Sequence, residues 1–193
     1  GDTATIASLS PPEGSAQAEH CARFYPIARD SLLEMHSWGF ATRRVQLALL
    51  TSGWPEWAYA YAQPADALNV IAILPPESTD DYSTGVPDSA GGSYVPQPFS
   101  CEINDSGAPV IYTDQEDAVL RYSATVTDPT RFSPLFVMAL SWHLASMLAG
   151  PIIKGDAGAA EAKRCAGMMQ AYLSKAVESD SSQRRVRPDH VVG

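Results

Sequence analysis

The stretch Ser133–Gly150, SPLFVMALSWHLASMLAG, decides the fold. Ser133 can accept a hydrogen bond from a free first-turn amide, and Pro134 suits the first helical position, where no amide partner is lost. Gly150 is expected to close the helix and Pro151 to prevent its continuation. Between these signals the segment is apolar nearly all round. Leu135, Met138, Trp142 and Ala149 lie on one face, and Phe136, Leu140, Leu144, Met147 and Leu148 cover much of the rest. A helix without a wide polar face is normally surrounded by protein. Leu135, Met138, Trp142, Leu144 and Leu148 are therefore the expected core of the molecule. Ser141, His143 and Ser146 interrupt the segment, which is short of the roughly 20 apolar residues of a membrane span.

Upstream, Thr3–Ser10 can form a short helix before the break at Pro11-Pro12. Ser15 is a plausible N-cap for a second helix. Cys21, Phe24, Tyr25, Ala28, Leu32, Met35 and Trp38 then recur at helical spacing, with Pro26 expected to kink the helix and Gly39 to stop it. After Gly39 the period changes. Residues 43–50 (RRVQLALL) alternate, with Val45, Leu47 and Leu49 on one side, and read as one strand ending at the turn signal Ser52-Gly53. Residues 57–74 read as an extended arm to Ala62, a turn at Pro64 and a strand over 68–74. Residues 75–98 hold the densest Pro, Gly, Ser and Asp run and form a long loop. FSCEI and PVIYT flank the turn Asn104–Gly107 as a hairpin, and 118–126 gives a further strand. A last helix runs from about Asp156, its expected cap, to Ser179.

The fold class expected from this order is α+β, mainly α. Residues 1–42 and 128–179 form an antiparallel helix bundle, and 43–127 form a small inserted β module with the long loop 75–98. Residues 180–193 form a flexible basic tail.

The 193 residues suffice for one sizeable core, or a core with a small appended module. The net charge of −9 argues against a protein that grips nucleic-acid phosphates, but not against one that lets DNA pass. Cys21, Cys101 and Cys165 are scattered and odd in number, as expected of reduced thiols. No basic n-region followed by an apolar h-region opens the chain, so no secretory signal is expected.

Nucleotide-binding, zinc-protease and nucleophile-elbow motifs are missing from the sequence. His143 and Ser146 are one helical turn apart, an arrangement far more often structural than catalytic. Asp114, Glu116 and Asp117 cluster before a strand, but without the spacing of a calcium loop. His20 and Cys21 fall on different sides of a helix. The run Trp54, Trp57, Tyr59, Tyr61 reads as a carbohydrate platform, as the core of the β module, or as a subunit contact. Tyr82 and Tyr94 give the long loop something to bury against a partner. No catalytic residue, metal or cofactor is expected, and the profile suits a structural or interaction protein rather than an enzyme.

Four stretches carry a likeness to a known family: 4–41, with its Pro-Pro turn and long helix ending in Trp38-Gly39-Phe40; 57–70, WAYAYAQPADALNV; 112–145; and the Ala-rich final helix. In their order and spacing the chain resembles the head–tail adaptors of short-tailed phages, the tail tubular protein A or gatekeeper family. The resemblance implies a virion protein of the tail or neck, assembled in the host cytoplasm. About twelve copies would form a ring between the portal protein and the tail nozzle protein. Double-stranded DNA would pass through its centre without its sequence being read, and no membrane would be involved. On this reading the basic tail, with Arg184, Arg185, Val186 and Arg187, docks on the portal. Tyr82, Tyr94, Trp54, Trp57, Tyr59 and Tyr61 face a neighbouring subunit or the nozzle. Two alternatives remain. One is a neck or head-completion protein of a long-tailed phage or gene-transfer particle. The other is a virion-associated glycan hydrolase using the carboxylates near Asp114–Asp117.

Overall fold

The computed structural model describes residues 7–8, 12, 14–51, 54–76 and 97–183. The expectations placed on the loop tyrosines Tyr82 and Tyr94, on the tail residues Arg184, Arg185, Val186 and Arg187, on the turn Ser52-Gly53 and on most of the first short helix fall outside those residues.

The described chain divides into two compact units, one built from residues 1–36 with 126–183 and one around 37–125. The first holds three helices: α1 (Ala16–Glu34), α2 (Pro134–Ile153) and α3 (Gly155–Ser182). Both serine caps form. Ser15 Oγ accepts from Ala18 N at 3.2 Å, and Ser133 Oγ accepts from Phe136 N at 3.3 Å. Each satisfies an amide that the first turn leaves open. Helix α1 contains Pro26 and ends at Glu34, short of Gly39. The chain turns instead at Trp38, whose carbonyl accepts from Ala41 N, Thr42 N and Thr42 Oγ1.

Helix α2 does not stop at Gly150. It runs through Pro151 to Ile153. A proline ring disfavours helical geometry in the preceding residue partly by crowding its Cβ, and glycine has none. The stop is Lys154, at φ +63° and ψ +164°, and Gly155 at φ +60° follows. Lys154 thus occupies a region that is nearly reserved for glycine. The expected Asp156 cap does not form: Lys154 stands at the N-cap of α3 with no side-chain cap bond, and Asp156 lies in the first turn.

The second unit corrects the expected fold class. Among the described residues seven strands form two antiparallel sheets, so the chain is an α+β protein and not a helix bundle with a small β insertion. The strands are β1 (Thr42–Gln46), β2 (Ala48–Leu50), β3 (Tyr59–Ala62), β4 (Ala67–Leu74), β5 (Phe99–Ile103), β6 (Pro109–Thr113) and β7 (Val119–Ala124). One sheet has the order β1-β7-β4 and the other β2-β3-β6-β5.

The expected strand runs largely form; the expected architecture fails because the chain passes repeatedly between two sheets. Residues 43–50, expected as one strand, change sheet at Leu47, which is buried while Val45 and Leu49 are exposed. Leu47 N donates to Ala118 O at 3.0 Å and ties that corner to the crossing between β6 and β7. The crossing from β3 to β4 is the expected Pro64 turn, closed by Ala67 N donating to Pro64 O at 3.0 Å. Between β5 and β6, Asn104 Oδ1 accepts from Ser106 N, Ser106 Oγ and Ala108 N, and Gly107 takes φ +81°. This is an Asx-type turn, in which a side-chain carbonyl replaces backbone partners. Leu47, Tyr61, Ile73, Ile111, Ala118, Leu120, Tyr122 and Ala124 form one buried cluster, and the two sheets share it as their core.

Candidate functional site

The residues expected at the core of α2 are not buried. Met138 is exposed, and Leu135, Trp142, Leu144 and Leu148 are half-buried. The side chains of α2 that are buried belong to Phe136, Ala139, Leu140 and Ala149. Phe136 packs on Phe132 with ring centroids 4.9 Å apart. Among the described elements, helices α1 and α3 pack on α2. Along one side of α2, Pro134, Val137, Met138, Ser141 and Ile152 are exposed, with Ala145 and Leu148 half-buried. Positions 134, 138, 141, 145, 148 and 152 are separated by alternate steps of four and three, the spacing of a seam along one helix face.

His143 lies across from α1. Its Nε2 is 2.9 Å from Ser31 Oγ. Ser31 has one hydroxyl proton and donates it to Ala28 O, so Nε2–H is the donor to Ser31 and Nδ1 carries the lone pair. Among the described residues, Nδ1 is buried without a hydrogen-bond partner. Ser146 Oγ donates to the His143 carbonyl and does not join the ring. Ser146 and the His143 ring, the two residues one turn apart on α2, are therefore not hydrogen-bonded to each other through their side chains.

Burial pushes the His143 pKa below its ordinary value of 6.5. The folded chain therefore resists a proton that the unfolded chain accepts. This contribution to stability is complete above pH 6.5 and is lost as pH falls toward the lower folded value. Denaturant midpoints measured across that window should fall with pH in the wild type, and His143→Gln should flatten part of the fall.

In the β unit the aromatic run separates into different roles. Trp54 is 54% exposed. Trp57 packs against the buried Ala60, Val110 and Tyr112. Tyr59 is half-buried and stacks on Tyr61 with centroids 6.2 Å apart. Tyr61 is only 2% exposed; it donates to Gln115 O at 2.9 Å and receives Ala118 N at 3.4 Å. Tyr61 is thus a core residue and not a contact surface, and the four rings do not form one platform.

The carboxylates near Asp114 face solvent. Asp114 Oδ1 accepts from Ala58 N at 2.9 Å and so joins the approach to β3 to the end of β6. Asp117 occupies a left-handed turn at φ +50°. No group of three metal-ligating side chains occurs among the described residues.

The sequence reading missed a polar network. Asp66 accepts from Arg43 Nη1 at 2.6 Å and from Tyr122 OH at 3.0 Å, linking β1 and β7 to the Pro64 turn. Burial, and then the Asp66 carboxylate, push the Tyr122 pKa up. Residues 23 and 56 apart in sequence carried no local signal of this meeting. Exposed apolar side chains at the edges of the four-stranded sheet were also missed: Leu49 and Leu50 on β2, and Phe99 and Ile103 on β5. No family model matches the chain, and no curated protein matches it either.

Proposed function

We propose that this chain is a structural virion subunit that assembles into a ring joining a portal to a tail nozzle, in the manner of the head–tail adaptors it resembles. The observation that carries the reading is the open side of α2. A 20-residue helix with no charged side chain between its caps leaves Val137, Met138 and Ile152 exposed in the single chain. Such surface costs free energy in water and is relieved by neighbouring copies or partners. By length and composition α2 could also cross a membrane. Its neighbours favour protein surroundings, because α3 packs along it and exposes Asp156, Lys163, Arg164, Lys175 and Glu178. Inserting α2 would draw those charges toward hydrocarbon.

The acidity fits the same role. A ring of subunits carrying −9 each repels DNA phosphates and lowers friction on a passing duplex. The glycan-hydrolase alternative has less support, since Asp114 holds a backbone amide and Tyr61 belongs to the core.

The test is the mass of the purified protein by light scattering, alone and mixed with its cognate portal ring. A portal complex with about twelve added copies is expected. Removal of residues 184–193 should abolish that complex while leaving the circular dichroism spectrum unchanged. A protein that stays a monomer and never binds the portal would remove the adaptor reading.

A further inference from the structure

We infer that copies of this chain join head to tail through the two edges of the four-stranded sheet, β5 of one copy adding to β2 of the next. The inference rests on the self-assembly proposed above and adds to the open side of α2 a second, separate contact.

Cross-strand pairing places Leu49 opposite Tyr61, Tyr61 opposite Ile111, and Ile111 opposite Cys101. This row runs Leu49–Tyr61–Ile111–Cys101 across the sheet, with its side chains on the face that carries the shared core. Its two middle members are buried, while Leu49 is 63% exposed and Cys101 is exposed. The neighbouring row places Tyr59 opposite Thr113 and Thr113 opposite Phe99, and Phe99 too is exposed at the β5 end. Further along β5, Ile103 is 67% exposed. The four-stranded sheet is one strand wider than the sheet with which it shares its core, which leaves apolar ends on its outer strands.

Three properties make the occupant a second copy. First, both ends of the central row are apolar, so Cys101 of one copy meeting Leu49 of the next continues the row without placing a polar group in it. Second, all three strand pairs are antiparallel. With four strands the two edges therefore run in opposite directions. Copies related by a small ring rotation keep strand direction, so the join is antiparallel as well. Third, the edges are only lightly guarded. Exposed edges are usually blunted by short strands, charged side chains, proline or a bulge. Of these, β2 (ALL) has its length of three residues and β5 (FSCEI) the single charge of Glu102. Among the described residues no strand lies beyond either edge. A contact between two different edges is heterologous, the kind that closes a ring.

The contact can be read by disulfide trapping. In a Cys21→Ser background, Leu49→Cys is introduced and the assembled protein is oxidised with copper–phenanthroline, which takes up the two electrons released as two thiols become one disulfide. Directly opposed residues have Cβ atoms about 4.5–5.5 Å apart, close to disulfide reach. A ladder of dimers, trimers and higher species is expected on a non-reducing gel, and it should vanish when Cys101→Ser is added. Separately, Leu49→Lys should reduce the mass of the assembly to that of one chain without altering the circular dichroism spectrum. A portal complex that yields no ladder would overturn the edge pairing and leave the adaptor reading standing. A ladder from protein that does not bind the portal would do the reverse. Dimers alone, formed through Cys101 in protein lacking the Leu49→Cys change, would overturn the head-to-tail pairing in favour of a two-fold contact. A monomer with no ladder would overturn both.

Discussion

Replacing Tyr61 by alanine should destabilise the β unit by about 3–5 kcal/mol, the usual cost of deleting a buried aromatic ring. Trp54→Ala should change stability by no more than about 0.5 kcal/mol, as for an exposed site without special contacts. The two residues belong to one aromatic run, and sequence alone assigns them the same candidate roles. Structure separates them: the Tyr61 ring lies in the cluster shared by both sheets, whereas Trp54 is more than half exposed. Tyr61→Phe isolates the hydroxyl. It leaves the Gln115 carbonyl without its donor and the Ala118 amide without its acceptor, a loss of about 1–3 kcal/mol for buried groups. Urea midpoints for the three variants give the order directly. Equal midpoints for Tyr61→Ala and Trp54→Ala would place Tyr61 on a free surface and contradict the packing described.

Local chemistry was legible in the sequence, and pairing was not. Ser15 and Ser133 act within three residues of themselves, so their caps could be named from spacing alone. The turn at Pro64 and the hairpin around Asn104 are equally local. The failures have a common cause. The alternation of Val45, Leu47 and Leu49 promised one buried face, but the chain passes between sheets at Leu47, so the residues on either side serve different partners. Gly39 and Gly150 look like stops, yet α1 ends earlier, at the C-cap Met35, and α2 later, at the Lys154 backbone. The apolar circumference of α2 implied burial on all sides, whereas α1 and α3, among the described elements, pack on it and leave Met138 exposed. The same gap between composition and covering hid the candidate interaction surfaces. Leu49, Phe99 and Met138 look in sequence like any core residue, and their exposure follows from how many strands and helices surround them. The Asp66 network was illegible for the same reason, because its partners meet only after three strands have assembled.

Gly158→Ala is expected to destabilise the helical unit by about 1–3 kcal/mol, the cost of forcing extra volume into a closed contact. The sign is the informative part. In a helix interior glycine is less favourable than alanine by about 1 kcal/mol, so the substitution should stabilise α3 if the position were open. It is not open. A Cβ at Gly158 would lie 3.0 Å from the Ala149 carbonyl oxygen and 3.5 Å from Gly150 Cα, both backbone atoms of α2 that cannot rotate aside. The missing side chain lets the first turn of α3 lie directly on the last turns of α2, immediately after the reversal at Lys154. Gly167 is the internal control. It lies on the same helix, and a Cβ there meets nothing within 4 Å. Gly167→Ala should therefore stabilise by up to about 1 kcal/mol through propensity alone. Thermal midpoints should thus move in opposite directions for two chemically identical substitutions nine residues apart. If both midpoints rise, the close approach of α2 and α3 is wrong. If both fall, α3 is sensitive to any added methyl, and its exposed side must then be covered by another part of the assembly.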